Sequence, residues 1–142
     1  MKTNMSLTLA CLLAFAPAVQ SAAPIITPSL ESAPPVVVKT LPVAGDETVD
    51  PATTEIRVTY SKVMQDGIWS WSTWGEENYP EITGTPRYLE DKKTCVLPVK
   101  LKPNKFYAIW LNSNNFGNFK DTGQRSAVPY LLTFKTGPGG AQ

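Results

Sequence analysis

The sequence predicts an all-β domain, a β-sandwich of about seven short strands. Three observations carry that reading. Apolar residues recur with period two, as on half-buried strands: Ile56, Val58 and Tyr60 share one face and Arg57 and Thr59 the other. Gly, Pro, Asn and Asp punctuate the chain between short β-branched and aromatic runs. No stretch shows the 3.6-residue apolar period of an amphipathic helix. Charged residues make up 18% and hydrophobics 42% of the 142 residues, a globular rather than a disordered balance.

Residues 1–23 read as a secretory signal peptide. Met1 to Asn4 carries Lys2, Leu7 to Ala16 is an apolar run, and small residues follow in Ala18-Val19-Gln20-Ser21-Ala22-Ala23. The run is shorter than the ~20 residues a membrane-spanning helix needs. Cleavage is expected after Ala22 or Ala23, with Ala16 or Ala18 as alternatives. Lipid attachment at Cys11 is disfavoured, because Thr8 stands where a large apolar residue is expected. The expected mature chain is therefore exported and lacks a transmembrane segment.

Residues 24–35 are rich in Pro, Ser and Ala and read as an extended linker. Val36 to Leu41 is β-branched and forms the first strand. Pro42 to Pro51 is a loop around Gly45-Asp46, and Glu55 to Tyr60 is the second strand. Gly67 to Ser72 carries Trp69 and Trp71 on one face. Arg87 to Leu89 is a short strand. Thr94 to Leu101 is expected at an edge or bulge, because Pro98 lacks the N–H a ladder uses. Phe106 to Asn112 is apolar on both faces, as in a central strand, and Val128 to Thr136 closes the domain over 36–136. Residues 137–142 form a flexible tail.

Composition excludes much chemistry. The chain has no histidine, which removes Ser-His-Asp and Cys-His nucleophile systems and the commonest metal ligand. Neither a catalytic residue nor a cofactor nor a metal ligand is therefore assigned. Loss of Lys2 with the signal leaves one fewer than the chain's 13 basic residues against 12 acidic ones. A neutral domain has no electrostatic pull on nucleic acid. Of the two cysteines, Cys11 leaves with the signal and Cys95, beside Leu97 and Val99 on one strand face, is expected to be buried.

Several motifs, in order, resemble the bacterial immunoglobulin-like domains of surface-layer-protein type. Pro42 to Val49 resembles that family's P-x-x-G-x-x-x-V, and Ile56 to Met64 its I-x-V-x-F-S-x-P-M. Leu101 to Tyr107 is similar to L-x-P-G-x-x-Y, Lys120 to Gly123 to the later D-x-x-G-N, and Leu132 to Thr136 to the closing strand. Val63, Asn104 and Gln124 depart from the pattern; Asn at 104 still tolerates a left-handed turn. The resemblance covers Pro35 to Thr136. It implies an immunoglobulin-like β-sandwich that is not an enzyme and that serves exported or cell-surface proteins. Tyr107 is expected to form a tyrosine corner.

Candidate binding residues are the aromatics of the two irregular stretches, Trp74 and Tyr79 in one and Phe116 and Phe119 in the other. Asn112 to Arg125 is long for a hairpin, and long loops on rigid scaffolds carry function. Phe116 and Phe119 either tuck back onto the sandwich or stay available to a partner. Trp69 and Trp71 are read as core, with surface placement the alternative, and Trp110 as core on its central strand. Acidic residues Asp46, Glu47, Asp50, Glu76 and Glu77 read as solvated loops, because calcium-loop spacing is absent. The partner expected is a protein or a cell-envelope component. The alternative is a carbohydrate gripped by exposed tryptophans.

Overall fold

A computed structural model describes residues 21–140. The proposed signal peptide lies almost wholly outside the described residues, as do Ala141 and Gln142 at the end of the tail. Among the described residues eight strands form: β1 (Val37–Leu41), β2 (Glu55–Tyr60), β3 (Trp71–Thr73), β4 (Glu81–Ile82), β5 (Arg87–Tyr88), β6 (Thr94–Lys100), β7 (Phe106–Leu111) and β8 (Tyr130–Lys135). The only helix among the described residues is a single 3-10 turn, Glu76–Asn78. It is far too short to cross a membrane.

The strands make two antiparallel sheets. One runs β1-β2-β6-β4, with β5 also pairing β6; the other runs β3-β7-β8. Alternation explains the layering. Ile56 pairs with Leu97 and Val58 with Cys95, so these side chains share one face. Tyr107 pairs with Phe134 and Ile109 with Leu132 across β7 and β8. All eight are at most 2% exposed, and together they form the core between the sheets. Burying side chains of this size contributes roughly 1.5–3 kcal/mol each.

Outward faces carry the polar partners. Arg57 and Arg87 both register opposite Val96. Glu55 bridges them, at 2.9 Å to Arg57 and 2.7 Å to Arg87. Hydrogen bonds from Arg87 and then Arg57 hold the Glu55 carboxyl below its usual range. These groups are partly exposed, so the pairs contribute little to stability.

Four sequence expectations change. The strand count rises because Glu81–Ile82 pairs with β6. The strand expected from Gly67 begins only at Trp71, because Gly67 has φ +77° and breaks extended geometry. β6 lies inside its sheet, not at an edge. Pro98 fits there because β5 pairs with Val96 and Cys95 while β4 pairs with Lys100 and Val99. The missing N–H falls in the gap where one partner ends and the next begins. Fourth, Trp110 is not core. It pairs with Ser72 and Leu131 on the outer face of its sheet and is half-buried.

Asn104 has φ +53°, the left-handed turn its identity allows. The Tyr107 hydroxyl accepts the Lys102 N–H at 2.8 Å, which makes the tyrosine corner. Residues 45–49 run beside β8: Gly45 N–H donates to Thr133 O, and Val49 forms a parallel bridge to Thr136. At the other end of the Pro/Ser/Ala-rich segment, Lys62 Nζ donates to Glu31 O at 2.7 Å and to Ala33 O at 2.8 Å. The Arg125 guanidinium donates to Ser32 O and Glu31 O. This part of the segment is therefore fastened to the domain.

Candidate functional site

The loop between β7 and β8 is organised by one residue, Asn112. It has φ +57° and is 1% exposed. Its amide nitrogen donates to Phe119 O and Ala127 O, both at 3.0 Å, and its Oδ1 accepts the Phe119 N–H at 2.9 Å. A buried amide with its bonds made fixes the backbone around it. Nothing in the sequence pattern distinguishes Asn112 from Asn114 and Asn115, so its role was not legible there.

The clamp turns Phe119 inward. Phe119 is fully buried and packs on Tyr60 at 5.1 Å and edge-on to Trp71 at 5.4 Å between ring centroids. As a candidate binding residue it is therefore withdrawn: its ring is committed to the core and has no face left for a partner. Phe116 goes the other way and is 56% exposed. It closes a tight turn over Asn114-Asn115, where Ser113 N–H donates to Phe116 O at 2.7 Å and Phe116 N–H donates back to Ser113 O at 3.3 Å. Ser126 Oγ ties the next residue through Gly117 O at 2.8 Å.

The second stretch divides similarly. Trp74 is 60% exposed, beyond the end of β3. Tyr79 is half-buried against the core, and its hydroxyl donates to Trp71 O at 3.3 Å. Burial raises the Tyr79 hydroxyl above its usual pKa. Trp69 and Trp71 pack against the core while remaining partly exposed.

Two of the clefts that meet at Phe116 carry tryptophans. One, of about 280 Å³, has Trp110, Ser72, Asn114 and Asn115 in its walls. The other, of about 230 Å³, has Trp69, Ser70 and Asn118. Ser72 reaches both, and Trp74 lines neither. The structure thus gathers Phe116 with Trp110 and Trp69, and leaves Trp74 and Tyr79 outside the clefts. Trp110 was missed as a site residue because an apolar-both-faces strand hides which face is covered.

The buried thiol and phenols do not line these clefts. Cys95 is fully buried, and burial pushes its thiol up to about 12, against a smaller opposing contribution from the Trp71 side chain. Burial also raises the neighbouring Tyr60 and Tyr88 hydroxyls, and neither has a hydrogen-bond partner. Among the described residues, no three His, Cys, Asp or Glu side chains come together as metal ligands.

The chain matches no protein-family model. It matches no curated protein either. Among solved structures it is similar to part of the crystal structure of the S-layer protein rSbsC(31-844), at TM-score 0.46 and 19% identity. That overlap covers 72% of this chain and 14% of the S-layer chain. A likeness of this extent bears on neither the function nor the family of this chain.

Proposed function

We propose that this chain is a non-catalytic, exported immunoglobulin-like module that acts by binding or spacing at the cell envelope. The observation that carries the reading is the strand order. Immunoglobulin domains of constant type place strands A, B, E and D in one sheet and C, F and G in the other. Here β1, β2, β6 and β4/β5 take the first four places, and β3, β7 and β8 the other three. The tyrosine corner at Tyr107 adds support. The motifs from Pro42 to Thr136 point the same way.

A rigid sandwich that presents Trp74 and Phe116 on irregular segments suits recognition. With no histidine and the Cys95 thiol buried, it does not suit nucleophilic catalysis. Export rests on Leu7 to Ala23. The working division is a signal over 1–23, a linker over 24–35, a domain over 36–136 and a tail over 137–142. Cell fractionation with intact-mass measurement tests the reading. A chain starting near Ala23, without lipid, is expected outside the cytoplasm. An intact Met1 in the cytoplasmic fraction, or a diacylated Cys11, would overturn it.

A further inference from the structure

We infer that the face around Phe116 binds a neutral oligosaccharide, with Trp110 and Trp69 as the flanking ring platforms. The inference rests on reading the chain as a binding module and names its ligand. Three properties of the face select that ligand class.

The first is charge. The two tryptophan-bearing clefts at Phe116, and a third bounded by Asn112–Gly117 and Ser126–Pro129, have no Asp, Glu, Lys or Arg in their walls. The whole chain carries 18% charged residues, so this face is unusually free of them. An anionic polymer or a charged peptide would find no counter-charge there, and its desolvation would go uncompensated.

The second is the pairing of rings with short polar groups. An aromatic face is electron-rich, so it attracts the weakly positive C–H groups on the apolar side of a pyranose. Asn114, Asn115, Asn118 and Ser72 stand around the rings, and carboxamides both donate and accept, as hydroxyl-rich ligands require. A protein partner needs roughly 800 Å² per side, with a desolvated centre. Here the rings are interrupted by Ser72, Asn114, Asn115 and Asn118.

The third is order. The reciprocal backbone bonds between Ser113 and Phe116 fix the main chain that carries the ring before any ligand arrives. Little conformational entropy is then lost on binding. The clefts at Trp110 and Trp69 are each smaller than the ~300 Å³ of a typical ligand pocket, and the third, beside Gly117 and Ser126, is about 480 Å³. One sugar ring per cleft, bridged over Phe116, is the fit, so chain length should raise affinity.

The test is isothermal titration of the exported mature protein with cellohexaose, chitohexaose, maltohexaose and mannohexaose. Polygalacturonate serves as the anionic control. Binding of at least one neutral hexasaccharide is expected, with the monosaccharide much weaker. Phe116→Ala and Trp110→Ala should each weaken it roughly tenfold or more, while Ile82→Ala, exposed on the other sheet and lining none of these clefts, leaves it unchanged. Melting temperatures of the variants separate lost binding from lost folding, and Phe116→Ala, at an exposed ring, keeps the test intact if Trp110→Ala unfolds. No binding by any of the four neutral chains overturns the inference. So does binding untouched by Phe116→Ala, binding of polygalacturonate alone, or self-association through this face in sedimentation. Those failures leave the envelope-module reading standing, because that reading falls only on the fractionation result.

Discussion

Replacing Asp121 should destabilise the domain more than replacing any exposed aromatic. Its side chain is 3% exposed. Oδ2 accepts from Lys62 Nζ at 2.9 Å, and Oδ1 accepts from the Arg125 N–H at 2.9 Å. The Arg125 guanidinium lies 3.6 Å away. Removing one partner of a buried pair costs about 3–5 kcal/mol, because the other charge is stranded. Lys62 is not wholly stranded: it keeps Glu31 O and Ala33 O and is 20% exposed. Asp121→Ala should therefore fall near the lower end, at about 3 kcal/mol. Asp121→Asn keeps an acceptor for the Arg125 N–H and should cost less, about 1–2 kcal/mol.

The pH dependence has a definite sign. Burial opposes the Asp121 charge, but the Lys62 bond, the Arg125 N–H and the two cations outweigh it and hold the carboxyl below its usual range. A lowered folded pKa means the stabilisation is complete above the unfolded value of about 3.9 and is lost as pH falls through the folded value. Urea melts at pH 7 and pH 3 measure both effects. The gap between the parent and Asp121→Asn should be open at pH 7 and narrow below about pH 4. An Asp121→Ala penalty under about 1 kcal/mol, or a gap that persists unchanged at pH 3, would refute the reasoning.

Other outcomes follow from the core. Phe119→Ala should cost roughly 3–5 kcal/mol while Phe116→Ala leaves the melt almost unchanged, and equal losses in thermal melts would contradict the division of the loop. Tyr107→Phe leaves the Lys102 N–H without its acceptor and should cost about 1–2 kcal/mol, read by denaturant titration; a neutral result would remove the corner from the stabilising set. Cys95, with its thiol pushed up to about 12, should react with a thiol reagent at pH 8 only after denaturant is added, and rapid native labelling would disprove its burial.

Much of the fold was legible because alternation fixes which face is covered. Ile56, Val58 and Tyr60, and Cys95, Leu97 and Val99, were read as faces and lie together in the core. Three features were not legible. The placement of β6 depends on two short partners, β4 and β5, meeting at Pro98, and a two-residue strand has no period to detect. Trp110 sits in a run apolar on both faces, where pattern cannot say which face the sheet leaves open. Phe116 and Phe119 are three residues apart in one loop, and their opposite fates are set by the bonds of buried Asn112, which no local rule foretells.

The loop and the N-terminal segment are bonded to each other at one end of the domain. Asp121 and Arg125 belong to the β7–β8 loop, yet Arg125 and Lys62 hold the carbonyls of residues 31–33. Two residues on, Pro35 O accepts the Val128 N–H at 2.9 Å. Pro34 forms part of the wall beside Phe116. The segment that leads into the domain therefore runs along the same end as the aromatic clefts and is bonded to the loop that shapes them. Loosening Asp121 would act on that face twice, by releasing the base of the loop and by freeing the strap at 31–33. The two paths differ in kind. Lys62→Met removes the hold on Ala33 and one of the two holds on Glu31, whose other is Arg125, but leaves the Arg125 N–H bond to Asp121 intact. Hydrogen exchange should then rise at Ala33, whose N–H donates to Ser29 O, while Phe119 and Ala127, whose N–H groups bond inside the Asn112 clamp, stay protected. Exchange rising equally at all three would mean that strap and clamp open as one cooperative unit.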